Sequence, residues 1–361
     1  MNNITFPHMG EMSIPVKAFF NELGYNVIEP PKISRKTLDL GVKYSPEFAC
    51  LPLKINLGNF IEALDKGANT IVMGGGCGPC RFGYYAEVQR EILRELGYDF
   101  EVFVIEPNLI ENYRNVRRIF GNVSLRKLYS AARLAWCKAV VVDEIYKLVL
   151  RRRATEVKVG EVDKLYNSFL YKLEESNSVR EIKKLETEYK ELINQTRADF
   201  KQGIEIRIGL VGEIYLVLEP FVNLNIEKKL GELGVVVEKK IYMTQWLLHF
   251  LHLSNDGHLI ERAAEKYLNS FVGGHGQDTV GNAVRFAELD LDGVIQLAPF
   301  TCMPEIISQT ILPAVSKDKG IPVLTLFFDE HSADAGLQTR LEAFVDLLIR
   351  KKESRNKVLY Q

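Results

Sequence analysis

Short apolar runs alternate with helical patterns over roughly the first hundred residues and again from residue 204 onward, and this alternation limits the fold more than any other feature. A strand-then-helix order builds a mostly parallel sheet with helices on both faces. In the first stretch the pattern predicts strands at 4–9, 25–29, 70–73 and 100–105, with helices at 13–23, 52–66 and 82–96. In the second it predicts strands at 206–211, 235–239, 293–297 and 322–328, with helices at 221–233, 305–316 and 339–348. Thr339, three residues before Glu342, reads as a capping box for the last of these.

Between the two stretches only helical periodicity remains, with Leu185, Tyr189 and Leu192 recurring in a heavily charged background. The expected class is therefore α/β. Two flavodoxin- or Rossmann-like lobes with mainly parallel sheets, at 1–108 and 204–361, are joined by a helical segment at 109–203. The basic run at 151–153 reads as a solvated helix face.

Composition narrows the function classes. With 361 residues, 47% hydrophobic, and a net charge of −1, the chain has ample core and no basic imbalance, so no nucleic-acid partner is expected. No apolar run approaches the roughly 18 residues that span a bilayer. The first residues carry neither a charged n-region nor an apolar h-region, so the expected location is the cytoplasm. The glycine runs at 74–76 and 273–276 fit neither a GxxxxGK[ST] phosphate loop nor GxGxxG spacing, and no ATP site is expected in this chain.

The chemistry is concentrated in the cysteines. A Cys-x-Pro signature occurs three times, as Cys50-Leu51-Pro52, Cys77-Gly78-Pro79 and Cys302-Met303-Pro304, and the middle copy runs into Cys80. Only Cys137 lies outside the set, and it reads as a buried helix residue. Proline suits the first turn of a helix, so each signature predicts a cysteine where a loop enters a helix. The helix dipole favours a thiolate there by only about 0.3–1 kcal/mol, too little to gather several thiolates in one place. Three chemistries remain open on the residues alone. Dithiol exchange would use Cys77 and Cys80 but leaves Cys50 and Cys302 unexplained. Structural zinc needs four ligands, usually from two local pairs, whereas here one pair combines with two distant singletons. An iron–sulfur cluster shared by cysteines at the strand ends of both lobes accounts for all four.

The segment from Met73 to Tyr85, MGGGCGPCRFGYY, resembles the 2-hydroxyacyl-CoA dehydratase superfamily, in particular the branch labelled CoA-protein activase or activase-related. Supporting segments are EFACLPLK from Glu47, PFTCMP from Pro299 and QTRLEAF from Gln338. The resemblance implies two flavodoxin-like lobes and a cubane cluster, [4Fe-4S] or in related branches double-cubane. It also implies electrons from a separate ATP-hydrolysing activase of the actin/Hsp70-like class, and a paralogous subunit or second copy. Dehydratase members act on acyl-CoA substrates. By position Cys50, Cys80 and Cys302 match the cysteine segments, with Cys77 as the fourth ligand. Three ligands would leave one iron open for substrate; four would make an electron carrier. A rival reading is a non-catalytic, metal-bridged subunit.

Neighbouring residues carry weaker expectations. Gly75 and Gly76 let the backbone approach the cofactor and offer N–H groups, or simply form a tight turn. Arg81 and Lys54 neutralise an anionic cluster or make surface pairs. His275 is a loop histidine and conceivable proton donor, and Glu47 an acid or a helix cap.

Overall fold

The computed structural model describes residues 3–76, 78–105, 121, 123–199, 203–250 and 256–359. Two compact units result. The first comprises Met1–Val140, Asn177–Val179 and Val272–Gly274; the second comprises Val141–Ser176, Arg180–Phe271 and His275–Gln361.

The first unit contains β1 (Asn3–Thr5), α1 (Ser13–Leu23), β2 (Asn26–Val27), α2 (Arg35–Tyr44), α3 (Leu51–Asp65), β3 (Thr70–Gly74), a 3₁₀ turn (Arg81–Tyr84), α4 (Tyr85–Glu95) and β4 (Glu101–Ile105). Its strands form an all-parallel sheet in the order β2-β1-β3-β4. The long helix α5 (Leu125–Thr155) starts here, with Leu128 and Ala131 packed in a cluster with Ile4, Phe6 and Phe20.

Helix α3 is buried along nearly its whole length, because Ile55, Leu57, Phe60, Ile61 and Leu64 leave it no polar face. Two of its buried polar residues are tied to neighbouring segments: the Thr37 hydroxyl donates to Glu62 at 2.6 Å, and Asn59 donates to the Pro31 carbonyl at 2.8 Å. Against it α2 lies backbone to backbone. A Cβ at Gly58 would sit 1.9 Å from the Thr37 carbonyl oxygen, and one at Gly41 would sit 1.8 Å from that of Lys54. This clamp fixes where α3 begins, and therefore where Cys50 stands.

After α5 come α6 (Glu161–Glu175), α7 (Val179–Gln195), β5 (Ile206–Gly212), α8 (Ile214–Leu218), α9 (Ile226–Glu232) and β6 (Val235–Lys239). Then follow α10 (Met243–Phe250), α11 (Asp256–Ala264), α12 (Gly276–Glu288), β7 (Gly293–Pro299), α13 (Met303–Lys319), β8 (Val323–Phe328) and α14 (Asp334–Leu359). The second sheet is again all-parallel, in the order β6-β5-β7-β8, and every residue of its central strand β7 is buried. Both sheets thus share one doubly wound order, in agreement with the expected α/β class.

Several expectations need correction. Arg153 does not lie on a solvated face: it is buried and its guanidinium donates to Asp163 at 2.7 and 2.9 Å. The last helix starts at Asp334, so Thr339 lies inside it and donates to the Ala335 carbonyl at 3.1 Å rather than capping. The helix expected from 221 starts at Ile226, because Leu224 and Asn225 both adopt left-handed backbone. The expected strands at 4–9 and 25–29 shorten to Asn3–Thr5 and Asn26–Val27. The stretch from 106 to 120 lies outside the described residues.

Candidate functional site

Ligands of open parallel sheets sit beyond the carboxyl ends of the strands, where the strand order reverses direction. Those places are between β1 and β3 in one sheet and between β5 and β7 in the other. The chain leaves β3 into the turn that carries Cys80, and leaves β7 into the turn that carries Cys302. The helix feeding β3, α3, is capped at its start by Cys50; the helix feeding β7, α12, is capped by His275. Cys50 and His275 therefore hold equivalent topological positions.

Cys50, Cys80 and Cys302 are each N-caps with extended backbone, and none of the three side chains makes the usual capping hydrogen bond. Pro52 and Pro304 stand in the first turns of α3 and α13, as the signature predicts. These cysteines and Cys137 are thiols rather than disulfide halves. Cys137 is only half-buried, in α5.

In the first unit two cysteine turns are fastened together. The Arg81 guanidinium donates to the Phe48 carbonyl at 2.7 Å, which ties the Cys80 turn to the segment entering Cys50. The Cys50 thiol and the Tyr85 hydroxyl share a hydrogen bond of 2.6 Å. Phe82 packs edge-on against Tyr85, with ring centroids 5.3 Å apart. A hydrogen bond to an ionised sulfur is worth about 1.5–3 kcal/mol, more than the α3 dipole supplies. From the far side, Gly273 (φ +90°) lies so close that a Cβ there would be 2.8 Å from the Cys80 nitrogen.

The glycine turn behaves differently from one of its expectations. The Gly75 N–H donates to the Ile105 carbonyl at 2.8 Å and extends the β3–β4 ladder, so it is not offered to a cofactor. Gly76 is small because Phe82 needs the space: a Cβ there would be 2.8 Å from the Phe82 ring. Lys54 is buried, which removes the surface-pair reading. Glu47 is exposed and does not cap α3, since Cys50 does. Cys77 lies outside the described residues.

In the second unit the β7–α13 turn is strained. Phe300 N–H donates to Phe328 at 2.8 Å and Cys302 N–H to Pro299 at 3.0 Å, with Thr301 at φ +67° between them. A non-glycine residue in that region costs roughly 1–2 kcal/mol, and such strain concentrates where a side chain must be presented.

Sequence reasoning misses the acidic groups around this turn. Glu305, three residues after Cys302, has no exposed surface. It accepts hydrogen bonds from Gln296 at 2.8 Å and from the Thr279 hydroxyl at 3.1 Å. Burial raises its carboxyl to about 7, against the lowering effects of Gln296, His275 and Thr279. Glu213, at the carboxyl end of β5, caps α8 by accepting from the Tyr215 and Leu216 N–H groups, and burial raises its carboxyl too. His275 is the last residue of its loop, where it caps the start of α12, and its Nδ1 lies 2.9 Å from Asp278. Burial alone would lower that imidazole; the Asp278 hydrogen bond and charge, with Glu213 and Glu305, outweigh it and raise it. Ser308 ties the two helix starts together by donating to the Gly276 carbonyl at 2.7 Å. The edge of this sheet can therefore hold protons near neutral pH. Tyr85 is the other residue missed, its only sequence signal being its place in Arg81-Phe-Gly-Tyr-Tyr85.

Thiolates at helix starts are the donors an iron–sulfur cluster uses, so the donor chemistry fits. Among the described residues, no group of three or more His, Cys, Asp or Glu side chains is assembled to hold a metal ion.

The sequence profile of the 2-hydroxyglutaryl-CoA dehydratase D-component family matches residues 102–348, about two thirds of the chain. The chain belongs to that family. A second profile, the CoA enzyme activase uncharacterised domain, matches residues 8–74. The D-component match takes in Cys302 and the activase-related match takes in Cys50, while Cys77 and Cys80 fall in the interval between them. No curated protein matches the chain. The D-component chain is thus a 2-hydroxyacyl-CoA dehydratase-like component, and membership implies an activase as partner. Among the described residues no helix is long and apolar enough to cross a membrane.

Proposed function

We propose that this D-component family member is a cytoplasmic iron–sulfur protein that accepts low-potential electrons from an ATP-hydrolysing activase and uses them in reductive or radical chemistry on an acyl-CoA thioester. The observation that supports it best is the placement of Cys50, Cys80 and Cys302, each starting a helix or turn at the carboxyl edge of a parallel sheet. Those three residues and Cys77 are the proposed ligands. The bound cluster supplies one-electron transfer, and with only three cysteine ligands it also supplies an iron open to substrate.

The chain's own residues have separate tasks in this reading. Arg81 holds the Cys80 turn on the Cys50 segment, and Gly273 closes over Cys80. His275 and Glu305 keep protons at the edge of the second sheet. In this reading nucleotide hydrolysis belongs to the activase partner that family membership implies.

The test is anaerobic purification of the full chain with quantification of iron and acid-labile sulfide. Iron and sulfide in comparable amounts, with a brown visible spectrum, are expected. A colourless protein holding stoichiometric zinc overturns the reading. Single Cys→Ser changes at positions 50, 77, 80 and 302 then count the ligands, and full retention of the cluster in Cys77→Ser assigns the three-ligand, substrate-binding form.

A further inference from the structure

We propose that Tyr85 sets the reduction potential of the metal centre by donating a hydrogen bond to the Cys50 sulfur; the inference rests on the ligand reading given above. The Tyr85 oxygen and the Cys50 sulfur lie 2.6 Å apart, and the residues are only 5% and 7% exposed. Both ends are fixed by packing. Cys50 starts a helix clamped against α2, and the Tyr85 ring is set by the edge of Phe82 at 5.3 Å. The pairing of the two residues is therefore set by the fold and not by two mobile side chains.

The direction of the hydrogen bond follows from the chemistry of the sulfur. A coordinating thiolate carries no proton, so the phenol is the donor. Hydrogen bonds to ligand sulfur withdraw charge from it and favour the reduced, more negative state of the centre. Tyr85 acts through Cys50 and is a positioning residue. Its effect is to ease the entry of an electron.

Tyr85→Phe keeps the ring and its packing and removes only the donor. In full-length protein purified without oxygen, the variant is expected to keep wild-type iron and sulfide while its midpoint potential moves to more negative values. A tenfold loss in the equilibrium constant for one-electron reduction corresponds to about 59 mV. Tyr84→Phe, at an exposed neighbour, is expected to leave the potential unchanged. Should Tyr85→Phe fail to fold or to hold iron, 3-fluorotyrosine introduced at position 85 carries the test, since a stronger donor of nearly the same size moves the potential upward. Equal potentials at equal iron content overturn the role of Tyr85 alone. Wild-type protein without iron overturns the ligand reading and this inference with it.

Discussion

The side-chain amide of Gln296 donates to the Glu305 carboxylate at 2.8 Å, with both residues wholly buried. Thr325 in turn donates to Gln296 at 2.9 Å, so the carboxylate is reached through a relay that spans β7, β8 and the start of α13. Burial raises Glu305 to about 7 from its ordinary 4.5. Between those values the folded chain binds more protons than the unfolded one. The stability due to protonated Glu305 is then complete below pH 4.5 and lost as pH rises through about 7. Wild type is expected to lose up to roughly 3 kcal/mol across that window. Glu305→Gln should lose clearly less, keeping a residual slope of the same sign from His275, whose imidazole is also raised. Urea denaturation at pH 5 and pH 8 measures this, and identical slopes for the two proteins contradict it.

At Gly273 two costs combine. The residue sits at φ +90°, and a Cβ would meet the Cys80 nitrogen at 2.8 Å. Gly67 has nearly the same backbone, φ +93°, with nothing within 4 Å. Gly67→Ala should therefore cost only the backbone term of about 1–2 kcal/mol, and Gly273→Ala roughly 1–3 kcal/mol more. Denaturation midpoints compare them directly. In the metal-bound protein only Gly273→Ala is expected to lower iron content; equal effects at both sites would refute the contact.

Thr301→Gly should relieve the left-handed strain before Cys302. The gain is offset by the greater freedom of glycine in the unfolded chain, leaving a stabilisation of about 0.5–1 kcal/mol. An unchanged or lower melting temperature would show that the turn is not under strain.

Lys239 and Glu227 form a buried ion pair at 2.8 Å, with the Lys239 ammonium also over the Tyr146 and Tyr242 rings. Lys239→Met leaves Glu227 charged and buried, at an expected cost of about 3–5 kcal/mol. Adding Glu227→Gln in the same chain should recover part of that loss. A double-mutant cycle with no coupling energy would argue against the pairing.

The second sheet was legible because buried parallel strands are near-continuous apolar runs: residues 235–239 are β6 from end to end, and the run expected at 293–297 lies within β7. Helix α12 was not, because its glycines read as loop. Gly281 is there for packing, since a Cβ would come within 2.3 Å of the Ile260 carbonyl oxygen, and no local pattern reveals that. The site divides in the same way. The cysteines announce themselves through prolines two residues away, a local relation. The Cys50–Tyr85 bond spans 35 residues, and the Glu305 network joins residues on four separate elements. Such proximity is created by topology, and topology is what a linear reading lacks. The resemblance carried by the cysteine segments agrees with the D-component family match.

Residues Val272–Gly274 belong to the first unit although the second unit's chain surrounds them in sequence. The Cys80 turn thus waits for a cover that lies nearly two hundred residues downstream. On the ribosome, that turn emerges, and its sheet can form, long before Gly273 has been made. Its final packing is consequently a late event in biosynthesis, so a truncated chain ending before residue 272 would leave the half-buried Cys80 turn without the backbone contact that Gly273 makes in the finished protein.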